Sequence, residues 1–336
     1  MKDFEEIILK IPLSGLTREE AKLAFNYILE GKAEDHQIEK FLLGLKERGE
    51  TIEEISAGAD VMIEKALYVK APNNAIDTCG TGGDSLGSYN ISTATSLVAA
   101  GAGAFIAKHG NRALSSKSGS SEVLEELGVK LNIDPSKISK CIFEAKVGFM
   151  YAPNHHPAMK FVGPTRKKLG VRTIFNLLGP LSNPARVKRQ IMGVYDKRWL
   201  EPIARTLKDL GSKKAWIISG SDGMDEITTT GISYISELNE GRIKNFEFNP
   251  QDYGINLSSN EDLRGGNPKY NADKIRSLLD GEIGPFRDIV VLNSGVALFV
   301  SGITTSIEEG IEISKESIDK GKALTSMRKL IEISNS

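Results

Sequence analysis

The chain has 336 residues, 40% of them hydrophobic, and its 43 basic and 44 acidic side chains leave a formal net charge of -1. That length exceeds the usual size of one domain, and the balanced charge argues against a broad nucleic-acid-binding surface. Its two cysteines, Cys79 and Cys141, form neither a spaced pair nor a metal pattern, and the start Met1-Lys2-Asp3-Phe4-Glu5-Glu6 has no signal-peptide character. The longest uncharged apolar stretch, Leu97 to Ala107, is too short to span a bilayer, so a soluble protein of the cytoplasm is expected.

The first 70 residues read as helices only. Thr17-Arg18-Glu19-Glu20 and Thr51-Ile52-Glu53-Glu54 are capping boxes, each followed by apolar residues at helical spacing: Ala21, Leu23, Ala24, Tyr27 and Ile28 after one, Ile55, Ala57, Val61 and Met62 after the other. Pro72-Asn73-Asn74 marks a boundary. Beyond it, strand-like runs such as Phe105-Ile106, Trp216-Ile217-Ile218 and Ile289-Val290-Val291-Leu292 alternate with helices. The pattern predicts a small all-helical domain followed by a larger α/β domain.

A glycine loop, Asp77-Thr78-Cys79-Gly80-Thr81-Gly82-Gly83-Asp84, opens the second region. Glycines let the backbone approach a ligand and point N-H groups at anionic oxygens, while Asn90 and Ser92 add side-chain donors. Ser92 or Thr93 is the expected N-cap of a helix over Ala94 to Ala100, which turns a partially positive helix end toward the same place. The dinucleotide pattern G-x-G-x-x-G fails at Ser85, and the P-loop pattern fails because Gly82 and Gly87 are followed by Ser88. Next, Ala104-Phe105-Ile106-Ala107 reads as a strand leading into Lys108-His109-Gly110-Asn111-Arg112 and the run Ser115-Ser116-Lys117-Ser118-Gly119-Ser120-Ser121, before a helix over Val123 to Leu127 that stops at Gly128. A loop this long and this rich in donors suits a polyphosphate. His155-His156 lacks further ligands at helical or strand spacing, which favours hydrogen bonding or packing over metal. After a strand over Ala215 to Ser219 comes Asp225-Glu226, either a solvated acidic turn or a site for a hard cation.

The strings Gly80-Thr81-Gly82-Gly83-Asp84, Lys108-His109-Gly110-Asn111-Arg112, His156-Pro157-Ala158-Met159-Lys160, Gly170 to Pro180 and Gly223-Met224-Asp225-Glu226 together resemble the anthranilate phosphoribosyltransferase family, and the resemblance runs the length of the chain. It implies a fold like the nucleoside phosphorylases and phosphoribosyltransferases, with a central, mainly parallel sheet. The small domain would comprise residues 1–71 with returning helices over about 164–183, the large domain 72–163 and 184–336, with the active site in a hinged cleft between them. The small domains would pair as a homodimer. The implied reaction is displacement of pyrophosphate from 5-phospho-α-D-ribosyl 1-diphosphate (PRPP) by the amine of anthranilate, a pentosyl transfer.

Carried over residue by residue, the resemblance assigns PRPP binding to Gly80, Gly83, Asp84, Ser88, Asn90, Ile91, Ser92, Thr93, Lys108, His109, Gly110, Asn111, Arg112, Ala113, Leu114, Ser115, Ser116 and Ser120. It assigns anthranilate to Gly80, Asn111, Arg166, His156 and Pro180. Mg²⁺, as two ions per subunit, falls to Ser92, Asp225 and Glu226. Lys108 and the Mg-bound diphosphate act as electrostatic stabilisers and no covalent nucleophile is required, Cys79 being a packed thiol. Neither nucleic acid nor membrane is an expected partner. Three alternatives differ in kind: a pyrimidine nucleoside phosphorylase, whose glycine loop differs from Thr78 to Asp84; a non-enzymatic nucleic-acid-binding relative, which the balanced charge disfavours; and a phosphoribosyltransferase for another aromatic acid, since Arg166 would clamp any similar carboxylate.

Overall fold

The computed structural model describes residues 2–82, 86–112 and 118–336. Four helices come first: Lys2–Lys10, Arg18–Leu29, Asp35–Arg48 and Ile52–Lys65. Both capping boxes form, with the Glu20 N-H on Thr17 Oγ1 and the Thr17 N-H on Glu20 Oε2, and the same reciprocal pair between Thr51 and Glu54. Glu54 is fully buried and also accepts the Leu16 N-H at 2.9 Å and the Arg48 guanidinium at 2.5 Å, so this cap fastens the loop before the second helix as well. Of the expected apolar stripes, Ala21, Ala24, Ile28, Ile55, Ala57, Val61 and Met62 are buried. Leu23 is 62% exposed instead, and Phe25 takes its place inward against Phe41 and Phe175.

Seven strands follow: β1 (Ile76–Gly80), β2 (Ile106–Gly110), β3 (Val147–Tyr151), β4 (Arg189–Gly193), β5 (Lys214–Gly220), β6 (Ser233–Asn239) and β7 (Arg242–Phe248). They form one sheet in the order β3-β2-β1-β4-β5-β6-β7. The first five are parallel, and β6 and β7 continue as antiparallel strands. Side chains alternate between its two faces as the strand period requires. Ile191, Trp216, Ile218 and Ile235 join the core under helices Ile91–Gly101, Pro268–Leu279, Pro285–Ser301, Ile307–Asp319 and Lys322–Asn335. Met192, Ala215, Ile217 and Leu238 join the core that continues into the N-terminal helices and the helices Phe175–Leu181 and Leu200–Asp209. The segment around residues 164–183 touches the N-terminal helices directly: Thr165 bonds Asp35 at 3.2 Å, and Leu178 lies against Gly58. Among the described residues no helix is long and apolar enough to cross a membrane.

Three local expectations are corrected. Ile289 to Leu292 lie inside the helix Pro285–Ser301, apolar on nearly every side because it is packed on nearly every side; Gly284-Pro285 starts it and Gly302, at φ 82°, ends it. Its last carbonyls, Phe299 and Val300, accept from Lys214 Nζ and Arg189 Nη1 at 2.9 Å each, cations supplied by the starts of β5 and β4. β2 begins at Ile106 and runs on to Gly110, in register with β3, so Lys108 and His109 are strand residues and the loop after them is correspondingly shorter. The helix expected over Ala94–Ala100 starts at Ile91, with Asn90 and not Ser92 or Thr93 at its N-cap, because Asn90 already turns the chain and its carbonyl accepts the Ala94 N-H at 3.1 Å.

Helices Pro285–Ser301 and Ile307–Asp319 cross glycine on glycine: a Cβ built on Gly310 would lie 2.4 Å from the Gly295 carbonyl oxygen. Gly310→Ala gains up to about 1 kcal/mol of helix propensity, but overpacking against rigid backbone costs about 1–3 kcal/mol. Net destabilisation is expected, read as a lower urea midpoint with an unchanged slope; an unchanged or higher midpoint would mean the helices do not meet this closely.

Candidate active site

In an open parallel sheet, ligands gather beyond the carboxyl ends of the strands where the strand order reverses. Here that point is β1, which has β2 on one side and β4 on the other. The glycine loop leaves β1 at Gly80, the Asn111 loop leaves β2 at Gly110, and Asp225-Glu226 lie in the loop after β5, so all three sequence segments converge on one edge. Contact between them is tight. Cβ atoms built on Gly80 and Gly193 would lie 2.3 Å from Asp225 Oδ2 and 1.5 Å from the Asp225 carbonyl oxygen, and the Gly82 N-H donates to Asp225 Oδ2 at 2.9 Å. Only glycine at the ends of β1 and β4 admits this loop.

Burial pushes the Asp225 carboxyl up, against the Gly82 N-H and the neighbouring Glu226 and Lys108. Among the described residues no group of three His, Cys, Asp or Glu side chains could cage a metal. Two adjacent carboxylates in a glycine-lined cradle fit Mg²⁺, which takes one or two carboxylates and completes its shell with phosphate oxygens and water. Ser92, half-buried, sits in the first turn of helix Ile91–Gly101.

Lys108 is 2% exposed and its ammonium donates to the Thr78 carbonyl oxygen, beneath the glycine loop. Burial lowers its pKa while Asp77, Glu226 and Asp225 oppose that shift. Asp77 is fully buried and pushed up to about 6 by that burial, against Lys108, the Asn183 amide at 2.7 Å and the His109 N-H at 3.1 Å. The lysine side chain is therefore fixed in place under the loop. Cys79 is packed below the same loop, with its thiol pushed up by burial and its Sγ accepting from Gln190 at 3.0 Å, which leaves it protonated and no nucleophile.

Asn90 links the two donor-rich segments: its amide donates to the Ser118 carbonyl at 3.2 Å and its oxygen accepts from Ser118 Oγ at 3.0 Å. Ser88 forms a bridge with Arg264, Ile91 is buried with its side chain in the core, and Thr93 is buried one position beyond Ser92. Asn111 is exposed, Ser120 opens helix Ser120–Glu126, and a Cβ on Gly110 would meet the Phe149 ring at 2.8 Å. Arg112 is exposed and engaged by Glu125 at 3.0 Å and by Tyr151 at 3.2 Å. Gly83, Asp84, Ala113, Leu114, Ser115 and Ser116 lie outside the described residues.

Arg166 belongs to helix Gly163–Leu169, half-buried over the Phe175 ring, with Nη2 at 3.4 Å from Asn176 Oδ1. Burial lowers its pKa, and among the described residues no carboxylate pairs with it. A partly desolvated guanidinium without an anion is suited to receive one. His109 and His156 face each other with ring centroids 5.1 Å apart. Burial, reinforced by His155, holds His156 down at about 4; burial, reinforced by the other two histidines, holds His109 well below its ordinary value, so these rings are neutral at pH 7. The Pro180 carbonyl accepts from Gln190 at 2.8 Å, the same amide that reaches Cys79. Sequence reasoning misses Asp77, Asn176, Asn183 and Gln190 as site residues. Of these, Asp77, in β1 just before the glycines, is the one with a local signal.

The family model described as "Glycosyl transferase family, helical bundle domain" matches residues 10–66, and that described as "Glycosyl transferase family, a/b domain" matches residues 72–324. Anthranilate phosphoribosyltransferase of Parvibaculum lavamentivorans is 52% identical over 336 residues, covering 100% of this chain and 98% of its own. The crystal structure of anthranilate phosphoribosyltransferase from Thermus thermophilus superposes with a TM-score of 0.94 at 37% identity over 100% of both chains. The Saccharomyces cerevisiae enzyme in complex with PRPP and Mg superposes at 0.90 with 27% identity over 99% of this chain and 98% of that one, and in complex with 4-fluoroanthranilate at 0.88 with 25% identity over the same shares. Matched end to end by such relatives, with the glycine loop and the acidic pair folded onto one edge of the sheet, the chain belongs to the anthranilate phosphoribosyltransferases, enzymes of the glycosyltransferase class.

Proposed function

We infer that this enzyme transfers the phosphoribosyl group of PRPP to the amine of anthranilate, giving N-(5-phospho-β-D-ribosyl)anthranilate and diphosphate. The observation that carries this reading is the closure of the glycine loop onto Asp225 through the Gly82 N-H, which sets that loop's backbone beside two carboxylates. The yeast relative's complexes with PRPP and Mg and with 4-fluoroanthranilate support it. Bound by Asp225, Glu226 and Ser92, Mg²⁺, as two ions per subunit, would supply positive charge to the diphosphate oxygens. The loop N-H groups and the N-terminus of helix Ile91–Gly101 hold the diphosphate, and Lys108 adds charge from below as the C1-O electron pair departs. Arg166 takes the anthranilate carboxylate and thereby aims the amine at C1. An arylamine is neutral at pH 7, so its nitrogen lone pair is available without a strong base; as the C1-N bond forms and the C1-O bond breaks, the nitrogen gives up one proton to the departing diphosphate or to water, and positioning carries much of the rate.

The division into a small domain (1–71 with about 164–183) and a large one, with a hinged cleft between them, belongs to the same reading. So does a homodimer through the small domains, supported by Leu9, Leu13 and Leu23, which are 71%, 85% and 62% exposed on the N-terminal helical region. Two buried, unbridged cysteines suit the reducing cytoplasm.

Pyrophosphate release should be selective for anthranilate over other aromatic amines. Arg166→Ala should raise KM for anthranilate by about tenfold or more, the size of a lost charge-assisted bond, and leave KM for PRPP nearly unchanged; equal effects on both would make the arginine a folding or closure element. For the metal, Asp225→Asn with Glu226→Gln should cut Mg²⁺-dependent turnover at least ~10-fold with the thermal midpoint retained, whereas an unaltered Mg²⁺ titration curve would remove both residues from the metal site. Leu13→Glu with Leu23→Glu should convert the sedimenting species from dimer to monomer, and a wild-type chain that already sediments as a monomer would refute the interface.

A further inference from the structure

Helix Pro268–Leu279 buries Ala272, Ile275, Leu278 and Leu279 in the core, yet beside them it also buries the carboxamide of Asn271, which is 1% exposed. A buried amide is unfavourable unless paired, and this one is paired in a direction that one backbone group dictates. The Gly266 N-H can only donate, and it donates to Asn271 Oδ1 at 2.8 Å. That turns the Asn271 amide nitrogen outward, where it donates to Asn90 Oδ1 at 2.8 Å. With its oxygen so engaged, Asn90 directs its own amide nitrogen to the Ser118 carbonyl, while Ser118 Oγ adds a second donor to Asn90 Oδ1. A relay of amides thus runs from Gly266 through Asn271 and Asn90 to Ser118. Its far end joins the segment that follows the glycine loop to the end of the serine-rich loop.

The chain just before Asn271 is stitched to the same place. The Tyr89 N-H donates to the Leu263 carbonyl at 3.0 Å and the Gly265 N-H to the Gly87 carbonyl at 2.8 Å, flanking the antiparallel bridge between Ser88 and Arg264. A Cβ on Gly265 would lie 2.4 Å from the Ser88 carbonyl oxygen. Residues 263–271 therefore form a brace behind the two loops.

We propose that Asn271 is a positioning residue for the sugar-diphosphate half of the reaction: without touching substrate, it fixes the amide orientation of Asn90 and so holds Asn90 and Ser118 at the spacing that binds diphosphate. This rests on the reading of the glycine and serine loops as the PRPP site. Asn271→Asp is nearly isosteric and still accepts from the Gly266 N-H, but it presents an acceptor to Asn90 Oδ1. Either that contact repels, or Asn90 flips and sets its oxygen against the Ser118 carbonyl.

The test is calorimetric titration of the full chain with PRPP and Mg²⁺ in the absence of acceptor, alongside steady-state kinetics. Asn271→Asp should weaken PRPP binding about tenfold, as for one misdirected buried hydrogen bond, with KM for anthranilate within about twofold of wild type. Asn271→Ala and Asn90→Ala should be non-additive, the double variant binding PRPP no worse than Asn90→Ala alone. Unchanged PRPP affinity in a folded Asn271→Asp, equal losses for both substrates, additive losses in the cycle, or loss of cooperative unfolding in both Asn271 variants would each overturn the proposal. If wild type binds PRPP but Asn90→Ala binds it equally well, the relay has no ligand to act on and the proposal falls while the PRPP site stands. A wild-type chain that does not bind PRPP at all overturns the site reading itself, and the proposal with it.

Discussion

Two strands must end in glycine for this site to exist. β1 closes at Gly80 and β4 at Gly193, and the backbone of Asp225 lies in the space their missing side chains leave. Any Cβ there would occupy the position of the Asp225 carbonyl or carboxylate, so the acidic loop could not descend onto the sheet edge. From that descent follow the Gly82 hydrogen bond, the desolvation of the half-buried Asp225 carboxyl and the nearness of both carboxylates to Lys108. The loop itself is pre-shaped from elsewhere: Asp222 accepts from Thr228 and Thr230, and Asn293, a buried polar residue of the helix Pro285–Ser301, clasps both the N-H and the carbonyl of Ile227.

The charge arrangement beneath the edge is layered. Asp77 and Lys108 are buried together, with Asn183 saturated by Asp77, Ala107 and Ala185. Near them lie the carboxylate of Asp225 with the Gly82 N-H, neutral histidines, and the half-buried guanidinium of Arg166, with which no carboxylate pairs among the described residues. Such an environment sets a pair of carboxylates beside a glycine-lined edge at one place and a partly desolvated guanidinium at another.

What can be read in the sequence is local. Thr17 with Glu20 and Thr51 with Glu54 declare their helices because both partners of each cap lie within four residues, and the glycine loop and Asp225-Glu226 stand out by composition alone. Ile289 to Leu292 mislead because a run of β-branched residues is the same in a buried strand and in a buried helix; the flanking Gly284-Pro285 and the length to Gly302 carry the distinction. Leu23 has the spacing of an inward residue, but Phe25 fills that place instead. Gln190, Asn183, Asn271 and Asn293 give no signal, since an isolated amide in sequence looks like any polar residue and its meaning lies in partners far along the chain.

The strand order has a consequence for how the chain reaches this state. β1 is the hinge of the whole sheet, yet one of its two neighbours, β4, is separated from it by β2, β3 and the helices between them. A nascent chain can zip β1 to β2 and β2 to β3 as soon as they emerge, but the other side of β1 stays an open edge until residues 189–193 arrive, and the acidic loop cannot settle before β5 follows. Closing so distant a pairing costs loop entropy before any contact repays it, so the docking of β4 and β5 beside β1 is expected to be slower than the pairing of β1 with β2. In the meantime the unpaired β1 edge, Ile76 to Gly80, is the segment most open to pairing with another chain.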